Sequence, residues 1–443
     1  MRVHHIVPPY LLAHLERTAP DPNLRARYRQ SLQNDAEFRA RPGTATSATA
    51  SEGSGGLRRQ VHDAEHETSL PGALVRAEGA DAVADAIADA TVNQAYDGTG
   101  ATWTMYKECF ERDSIDGAGL PLISTVHYDR DYANAFWDGS QLIFGDGDGE
   151  IFGDFTKSIE VTGHELTHGV TQYTANLAYE GQSGALNESI SDVFGSLAKQ
   201  HHLGQAAADA DWLIGAGIFQ PGVQGVALRS MAAPGTAYDD PRLGKDPQPS
   251  HMSAYVETTE DSGGVHLNSG IPNYAFYLVA TELGGNAWSE AGRIWYATLT
   301  SGTLPETADF TTFAEATQSA ATTLFGADSR QLTAVTTAWN QVGVLTTSPA
   351  DSPADPAEPP ADSPAGPAVS PSPAADPAAP PPPAEPGERS SGDETGGEGH
   401  ASSAESADLM RAANTTLAPN TPPAPPEPTA TPDSPQGEPP AKD

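Results

Sequence analysis

The stretch around residues 158–171 constrains this chain more than any other, because it contains His164-Glu165-Leu166-Thr167-His168. On an α-helix, residues four apart lie one turn apart on the same face. Two imidazoles so placed can hold one zinc ion at ~2.0–2.1 Å each. Glu165 leaves the helix from the neighbouring position, where its carboxylate can reach a water beside the metal without joining the ligand set. A solvated helix face that happens to carry two histidines is the bland alternative, and this five-residue pattern alone does not exclude it.

A third ligand decides between them, since catalytic zinc takes three protein ligands and keeps one position open. The run Gly184-Ala185-Leu186-Asn187-Glu188-Ser189-Ile190-Ser191-Asp192 follows on a second helix-compatible segment. Glu188 and Asp192 are again four apart and face one way. Glu188 can complete the metal set, and Asp192 can accept the other ring N–H of a ligating histidine and so fix its tautomer. An exposed acidic face would be ordinary in so acidic a chain, but the register relative to His164 and His168 argues against it. The all-histidine zinc pattern would need Gly and His where Thr171 and Thr174 stand. The third ligand is therefore a carboxylate.

Composition separates a folded part from a solvated one. The 443 residues include 39 prolines, and only 37% are apolar, a mixture unlike a fully globular chain. The formal charge of −36, from 23 basic and 59 acidic residues, opposes binding to phosphate backbones, so no nucleic-acid partner is expected. It favours a soluble monomer. A single cysteine, Cys109, excludes an intrachain disulfide and is expected to be a buried thiol. No stretch reaches the ~18 apolar residues of a membrane span. Pro8-Pro9 and nearby charges interrupt the N-terminal apolar run, so no Sec-type signal is read there. Synthesis and residence in the cytoplasm stay open on that ground.

Four regions follow. Residues 1–60 form a short leader, with apolar Ile6-Val7-Pro8-Pro9-Tyr10-Leu11-Leu12, a charged helix-compatible run and a Gly/Ser/Thr linker that Arg41, Arg58 and Arg59 could open to a protease. Residues 61–176 read as mixed β and α, with an amphipathic helix over 80–96 and short strands over 122–128 and 141–144. Residues 177–345 read as mainly helical, and 346–443 as a disordered Pro/Ala/acidic tail unable to bury enough surface to offset its ordering entropy. The fold class is α+β in two lobes.

At this point the sequence resembles the thermolysin family of metallopeptidases. Asn134-Ala135-Phe136-Trp137-Asp138-Gly139, the Gly145–Gly149 loop, the two metal runs, and Asp261-Ser262-Gly263-Gly264-Val265-His266-Leu267-Asn268 carry the resemblance between about residues 61 and 345. The N-terminal Pro-Pro-Tyr-Leu-Leu resembles the protealysin-like branch, in which a short leader is a removable propeptide. The resemblance implies a β-rich N-terminal lobe and a helical C-terminal lobe with the active-site helix between them. It also implies a zymogen whose propeptide is an intramolecular inhibitor, one catalytic zinc ion, and protein or peptide substrates cut internally. Family habit points outside the cell.

Roles are implied residue by residue. Tyr179 and His266 would stabilise an oxyanion, Asp261 would keep His266 cationic, and Asn187 would join Asp192 behind the zinc ligands. Asn134, the Ala135 carbonyl and Arg229 would bind substrate main chain. Phe152, Phe155, Val161, Ile214, Ile218 and Leu228 would line a pocket for a bulky apolar residue just after the cleaved bond, although each also suits plain core. The family's double calcium site meets Lys199, Leu213 and Ala216 here, leaving Glu160 and Asp211. That is too few oxygens for an ion wanting six to eight, so calcium is left open. A tight turn is expected at Gly145–Gly149. Three rivals are weighed, and the first two lack support, since Glu165 is present and no amino-end motif is found. A metal-binding protein without turnover would be expected to lack Glu165. An exopeptidase would need a motif for the substrate's amino end. A chain whose biological role lies in its tail would keep its proteolysis if the tail were deleted.

Overall fold

The computed structural model describes residues 4–40, 55–80 and 88–345. The expected tail and most of the Gly/Ser/Thr linker, with Arg41, lie outside these residues. In chain order the leader forms β1 (His4–His5), α1 (Pro9–Thr18) and α2 (Pro22–Ala40). The N-terminal lobe has β2 (Arg59–Asp63), β3 (Ala73–Ala77), α3 (Ala90–Phe110), β4 (Leu122–Val126), β5 (Ala135–Trp137) and β6 (Leu142–Phe144). Then come α4 (Ile159–Gln172) and α5 (Gly181–Leu203), which carry the two metal runs. The remainder is mainly helical and includes the short antiparallel pair β7 (Leu213–Ile214) and β8 (Arg229–Ser230).

Six strands form one sheet in the order β1-β5-β6-β4-β2-β3. β2, β4 and β6 run parallel, while β5 returns antiparallel to β6 and offers its free edge. The leader takes that edge, pairing His4 with Trp137 and His5 with Phe136. Local chemistry explains its course. Pro8 holds an extended backbone (φ −60°, ψ 138°), and Pro9 opens α1 at a position whose N–H needs no partner. Residues before this pair therefore stay extended, and α1 folds back with Leu11, Leu12 and Leu15 buried.

Several expectations need correction. Of the helix expected over 80–96, residues 90–96 lie in α3, which Asp89 caps by accepting from the Thr91 and Val92 backbone N–H groups; residues 81–87 lie outside the described residues. Arg58 and Arg59 do not sit on an open linker. Arg58 donates to the Gly119 carbonyl, and Arg59 stands in β2, pairs with Glu78 and lies over the Tyr96 ring. Cys109 is half-buried rather than buried, and its burial still pushes the thiol up to about 11. The expected strands at 122 and 142 are present, and the Gly145–Gly149 loop is a turn. There Gly147 and Gly149 have positive φ, and Asp148 accepts from the backbone of Glu150, Ile151 and Phe152.

His127 ties the start of α3 to this loop. Its Nδ1 lies 2.9 Å from Asp146 and its Nε2 3.0 Å from Asp89. The hydrogen bond to Asp146 and the neighbouring carboxylates outweigh burial and push the imidazole up to about 9. An unfolded histidine titrates near ~6.5, so the folded state retains a proton that the unfolded chain releases. This stabilisation is complete below about pH 6.5 and is lost as pH rises through about 9. We expect the unfolding midpoint to fall across that window, with a free-energy change on the order of 1–3 kcal/mol. His127→Gln should make the slope shallower, with the rest left to other histidines that gain partners on folding; a profile unchanged in that variant would contradict the assignment.

Candidate active site

The site rests on the crossing of α4 and α5. A Cβ on Gly163 would meet the Gly195 Cα at 2.9 Å, and one on Gly195 would meet the Glu160 carbonyl oxygen at 2.5 Å. Only glycine lets the two backbones approach so closely. The approach brings Glu188 from α5 to the histidines of α4. His164 Nε2 and His168 Nε2 are 2.9 Å apart, and the Glu188 carboxylate lies 3.4 and 3.6 Å from them. Tetrahedral ligands at ~2.0–2.1 Å from a zinc ion are spaced ~3.3–3.4 Å from one another. The carboxylate distances lie near that spacing, and the two imidazole nitrogens need only part by a few tenths of an ångström to admit zinc; Glu188 Oε2, buried without a hydrogen-bond partner, marks the same point.

Behind the ligands the outer ring nitrogens are held. His164 Nδ1 meets Asp192 at 2.8 Å, and His168 Nδ1 meets Asn187 at 2.8 Å and the Ser191 hydroxyl at 3.0 Å. Burial, with His4 and His164 adding to it, holds His168 well below its ordinary value, which leaves a neutral imidazole ready to ligate. For His164, the hydrogen bond to Asp192 and the nearby Glu188 charge overcome burial and raise it. Glu165 is fully buried, and neither carboxylate oxygen closes a hydrogen bond, although the Trp137 backbone approaches it. Burial and then the Glu188 charge push its carboxyl well up.

Asp192 also receives both Nε and Nη2 of Arg229, at 2.8 and 2.7 Å, and the Asn273 amide at 2.9 Å. Against the cost of burial, Arg229 and His164 keep this carboxylate ionised. Across the cleft, Tyr179 donates to Glu188 and lies 3.3 Å from His266 Nε2. Burial and Glu188 hold the Tyr179 phenol well above its ordinary value, so it stays a donor. Asp261 accepts from His266 Nδ1 at 2.7 Å and from the His266 backbone at 2.9 Å. With Glu188 it outweighs burial and raises His266 to about 9. Asp261 and Ser262 hold φ of 52° beside two positive-φ glycines. That left-handed run turns the carboxylate back onto the imidazole.

The leader fills the cleft. Its Ile6 N–H donates to the Ala135 carbonyl at 3.0 Å, and Val7 N–H donates to Asn134 Oδ1 at 2.9 Å. The Ile6 carbonyl accepts from Arg229 at 3.0 Å, and the His5 carbonyl accepts from His266 Nε2 at 2.8 Å. From α2, the buried Asp35 accepts from Asn134 and from the Tyr132 hydroxyl. Every candidate for metal, proton transfer or main-chain contact thus meets at one cleft. Phe152, Phe155, Val161, Ile214, Ile218 and Leu228 are all buried in the apolar cluster that also holds Ile6. Lys199 places its ammonium 3.2 Å from Glu160 and 2.8 Å from Asp211, and Glu160 also accepts from Ala216 N–H. A lysine charge therefore balances the two acids left over from the calcium site.

Sequence reasoning missed His4, His5, Asp35, Ser191 and Asn273. Two histidines directly before an apolar Pro-Pro run were the available signal for the first pair. The others carry no motif.

Residues 43–172 match the family described as thermolysin metallopeptidase, catalytic domain, and 175–344 match thermolysin metallopeptidase, alpha-helical domain. The chain is 55% identical over 290 residues to an extracellular metalloprotease of Pectobacterium carotovorum subsp. carotovorum, covering 66% of this chain and 82% of that protein. It is 41% identical over 291 residues to thermolysin of Alicyclobacillus acidocaldarius subsp. acidocaldarius, covering 64% of this chain and half of that protein. Among solved structures, the precursor of protealysin, a metalloproteinase from Serratia proteamaculans, matches with a TM-score of 0.70 and 50% identity, over 77% of this chain and 100% of that one.

The helix crossing generates a test. Gly195→Ala should destabilise the fold by ~1–3 kcal/mol, because the new methyl meets backbone rather than a movable side chain. It should also lower the zinc retained after dialysis. An unchanged melting point with full metal content would show that the close approach is not required.

Proposed function

Because the chain belongs to the thermolysin family of zinc metallopeptidases, we propose that it is an endopeptidase made as a precursor, cutting before bulky apolar residues and acting outside the cell. His164, His168 and Glu188 hold the ion, with Asn187 and Asp192 fixing the imidazoles. When bound, zinc supplies a Lewis acid that polarises a carbonyl and lowers the pKa of water. Glu165 takes the proton from the attacking water and passes it to the leaving amine, a transfer worth ~10²–10⁴-fold. Tyr179 and His266 donate to the oxygen as its charge grows, at ~3–4 kcal/mol per donor, and Asp261 keeps His266 protonated. Asn134, Ala135 and Arg229 bind the substrate backbone. Phe152, Phe155, Val161, Ile214, Ile218 and Leu228 supply the apolar pocket.

One observation carries the reading: three ligand atoms converge beside a buried carboxylate whose oxygens are unbonded. The domain scheme follows as residues 1–60 propeptide and linker, 61–176 and 177–345 the two peptidase lobes, and 346–443 the Pro/Ala/acidic tail. The leader acts as an intramolecular inhibitor, a role supported by its occupation of the groups assigned to substrate. Among the described residues no helix is long and apolar enough to cross a membrane. The relative named extracellular supports export.

Casein hydrolysis by leader-free protein tests the proposal. Activity should disappear with a zinc chelator and return on adding zinc. Glu165→Ala should lower kcat at least 10²-fold at unchanged zinc content. Retained activity in that variant, or activity indifferent to chelation, would refute the mechanism. Intact precursor as active as the processed enzyme would refute the inhibitory role.

A further inference from the structure

A second cluster of ligand-type side chains lies on the N-terminal lobe and shares no residue with the cleft. It is built at the carboxyl ends of three parallel strands. His66 follows β2 by three residues, His127 follows β4 directly, and Asp146 follows β6 by two. Because β2, β4 and β6 are neighbours in the sheet and run the same way, the three loops leave it side by side. Open parallel sheets gather their ligands at such ends. Two of the loops are also fastened together. The His66 N–H donates to the His127 carbonyl at 2.9 Å, and both histidines hold positive φ, 60° and 53°, which is uncommon for a residue with a Cβ.

The side chains converge. His127 Nδ1 lies 2.9 and 3.0 Å from the two Asp146 oxygens, and His66 Nδ1 lies 3.4 Å from the same carboxylate. The two rings are inclined at 60° with centroids 5.5 Å apart, so neither is stacked on the other. One ligand atom from each of the three residues falls within 4.8 Å of the other two. On the far side of the ring, His127 Nε2 lies 3.0 Å from Asp89. An imidazole ligand is typically held this way, with its outer N–H on a carboxylate and its inner lone pair toward the ion. A histidine between two carboxylates is a complete ion pair by itself. The second imidazole, on the same carboxylate, is what that pairing does not require.

We infer that His66, His127 and Asp146 bind a divalent transition-metal ion of the zinc class, distinct from the ion of the cleft, and that Asp89 positions His127 for it. Tetrahedral ligands of zinc stand ~3.3–3.4 Å apart. His66 and Asp146 already have that spacing, and His127 and Asp146 part by a few tenths of an ångström as the ion displaces the proton between them. The pH dependence of unfolding expected for His127 therefore belongs to protein stripped of metal. His66, with its side chain 45% exposed, is free to close on the ion, and the open side leaves the fourth position to water. Two imidazoles and one carboxylate suit zinc rather than calcium, which takes six to eight oxygens. Bound there, the ion ties the ends of three strands to the N-cap of α3.

Zinc binding to the full chain, stripped with a chelator and dialysed, tests this by competition with a chromophoric zinc indicator. His66→Ala should bind one equivalent fewer than the native chain. Asp89→Asn keeps an oxygen for the α3 cap but sets an N–H against His127 Nε2, which favours the proton on Nδ1. It should weaken the same equivalent ~10–100-fold. Calcium added in equal amount should not displace it. Thermal unfolding gives a second readout. Zinc beyond the first equivalent should continue to raise the melting temperature of the native chain, and should leave that of His66→Ala unchanged.

Equal zinc stoichiometry in the native chain and in His66→Ala would overturn the site, as would the same zinc-dependent rise in melting temperature in both. Undiminished affinity in Asp89→Asn would overturn the positioning role. Release of the ion by an equal amount of calcium would overturn its assignment to the zinc class. The difference between native chain and variant is read without turnover, so it holds whether or not the processed enzyme hydrolyses casein.

Discussion

The buried carboxylate of Asp192 is the point on which this structure turns. It receives His164 on one side, both arms of the Arg229 fork on another and the Asn273 amide on a third. An ionised carboxylate in that position is tolerable only because its hydrogen-bonding capacity is used up. The arrangement couples two tasks. Asp192 orients an imidazole toward the metal position, and through Arg229 it aims a guanidinium at the carbonyl of whatever chain lies in the cleft. On the proposed function, chemistry and substrate alignment would share this one anchor, set on a helix that approaches its neighbour at Gly163 and Gly195.

The leader exploits an exposed strand edge. An unpaired β-edge recruits another extended chain by main-chain hydrogen bonds, and β5 recruits β1 from its own polypeptide. Specificity comes from elsewhere. The Pro8-Pro9 pair holds the preceding residues extended, α1 buries its leucines, and Asp35 reaches from α2 to the Asn134 side chain that also grips Val7. On the proposed function, inhibition built this way would use the substrate's own contacts, so the enzyme would need no separate surface to be held silent.

Much of this was legible in the sequence because helical periodicity is short-ranged and strict. The four-residue spacings of His164 with His168 and of Glu188 with Asp192 fix faces without knowledge of the fold, and those faces met as the spacing required. Short strands near 122 and 142 were also readable from alternation and flanking turns. The break at Asp89 was not legible, because apolar residues at Val83, Ile87 and Val92 keep one spacing while the capping signal of Asp89 is a single side chain. Arg58 and Arg59 looked like linker residues because nothing local reveals a strand partner or an aromatic ring brought in from Tyr96. Asp35 and Asn273 were invisible for the same reason: their partners are remote in sequence. The histidines at 4 and 5 acquire meaning only once the leader is seen to pair with β5.

The account stands or falls on one ion shared by two helices. Diffraction from crystals of the zinc-loaded precursor, collected on both sides of the zinc absorption edge, tests it most directly. A strong anomalous peak enclosed by His164 Nε2, His168 Nε2 and the Glu188 carboxylate is the predicted result. Zinc bound only elsewhere, or a peak in the cleft too distant from any one of these three groups to be coordinated by it, would contradict the account.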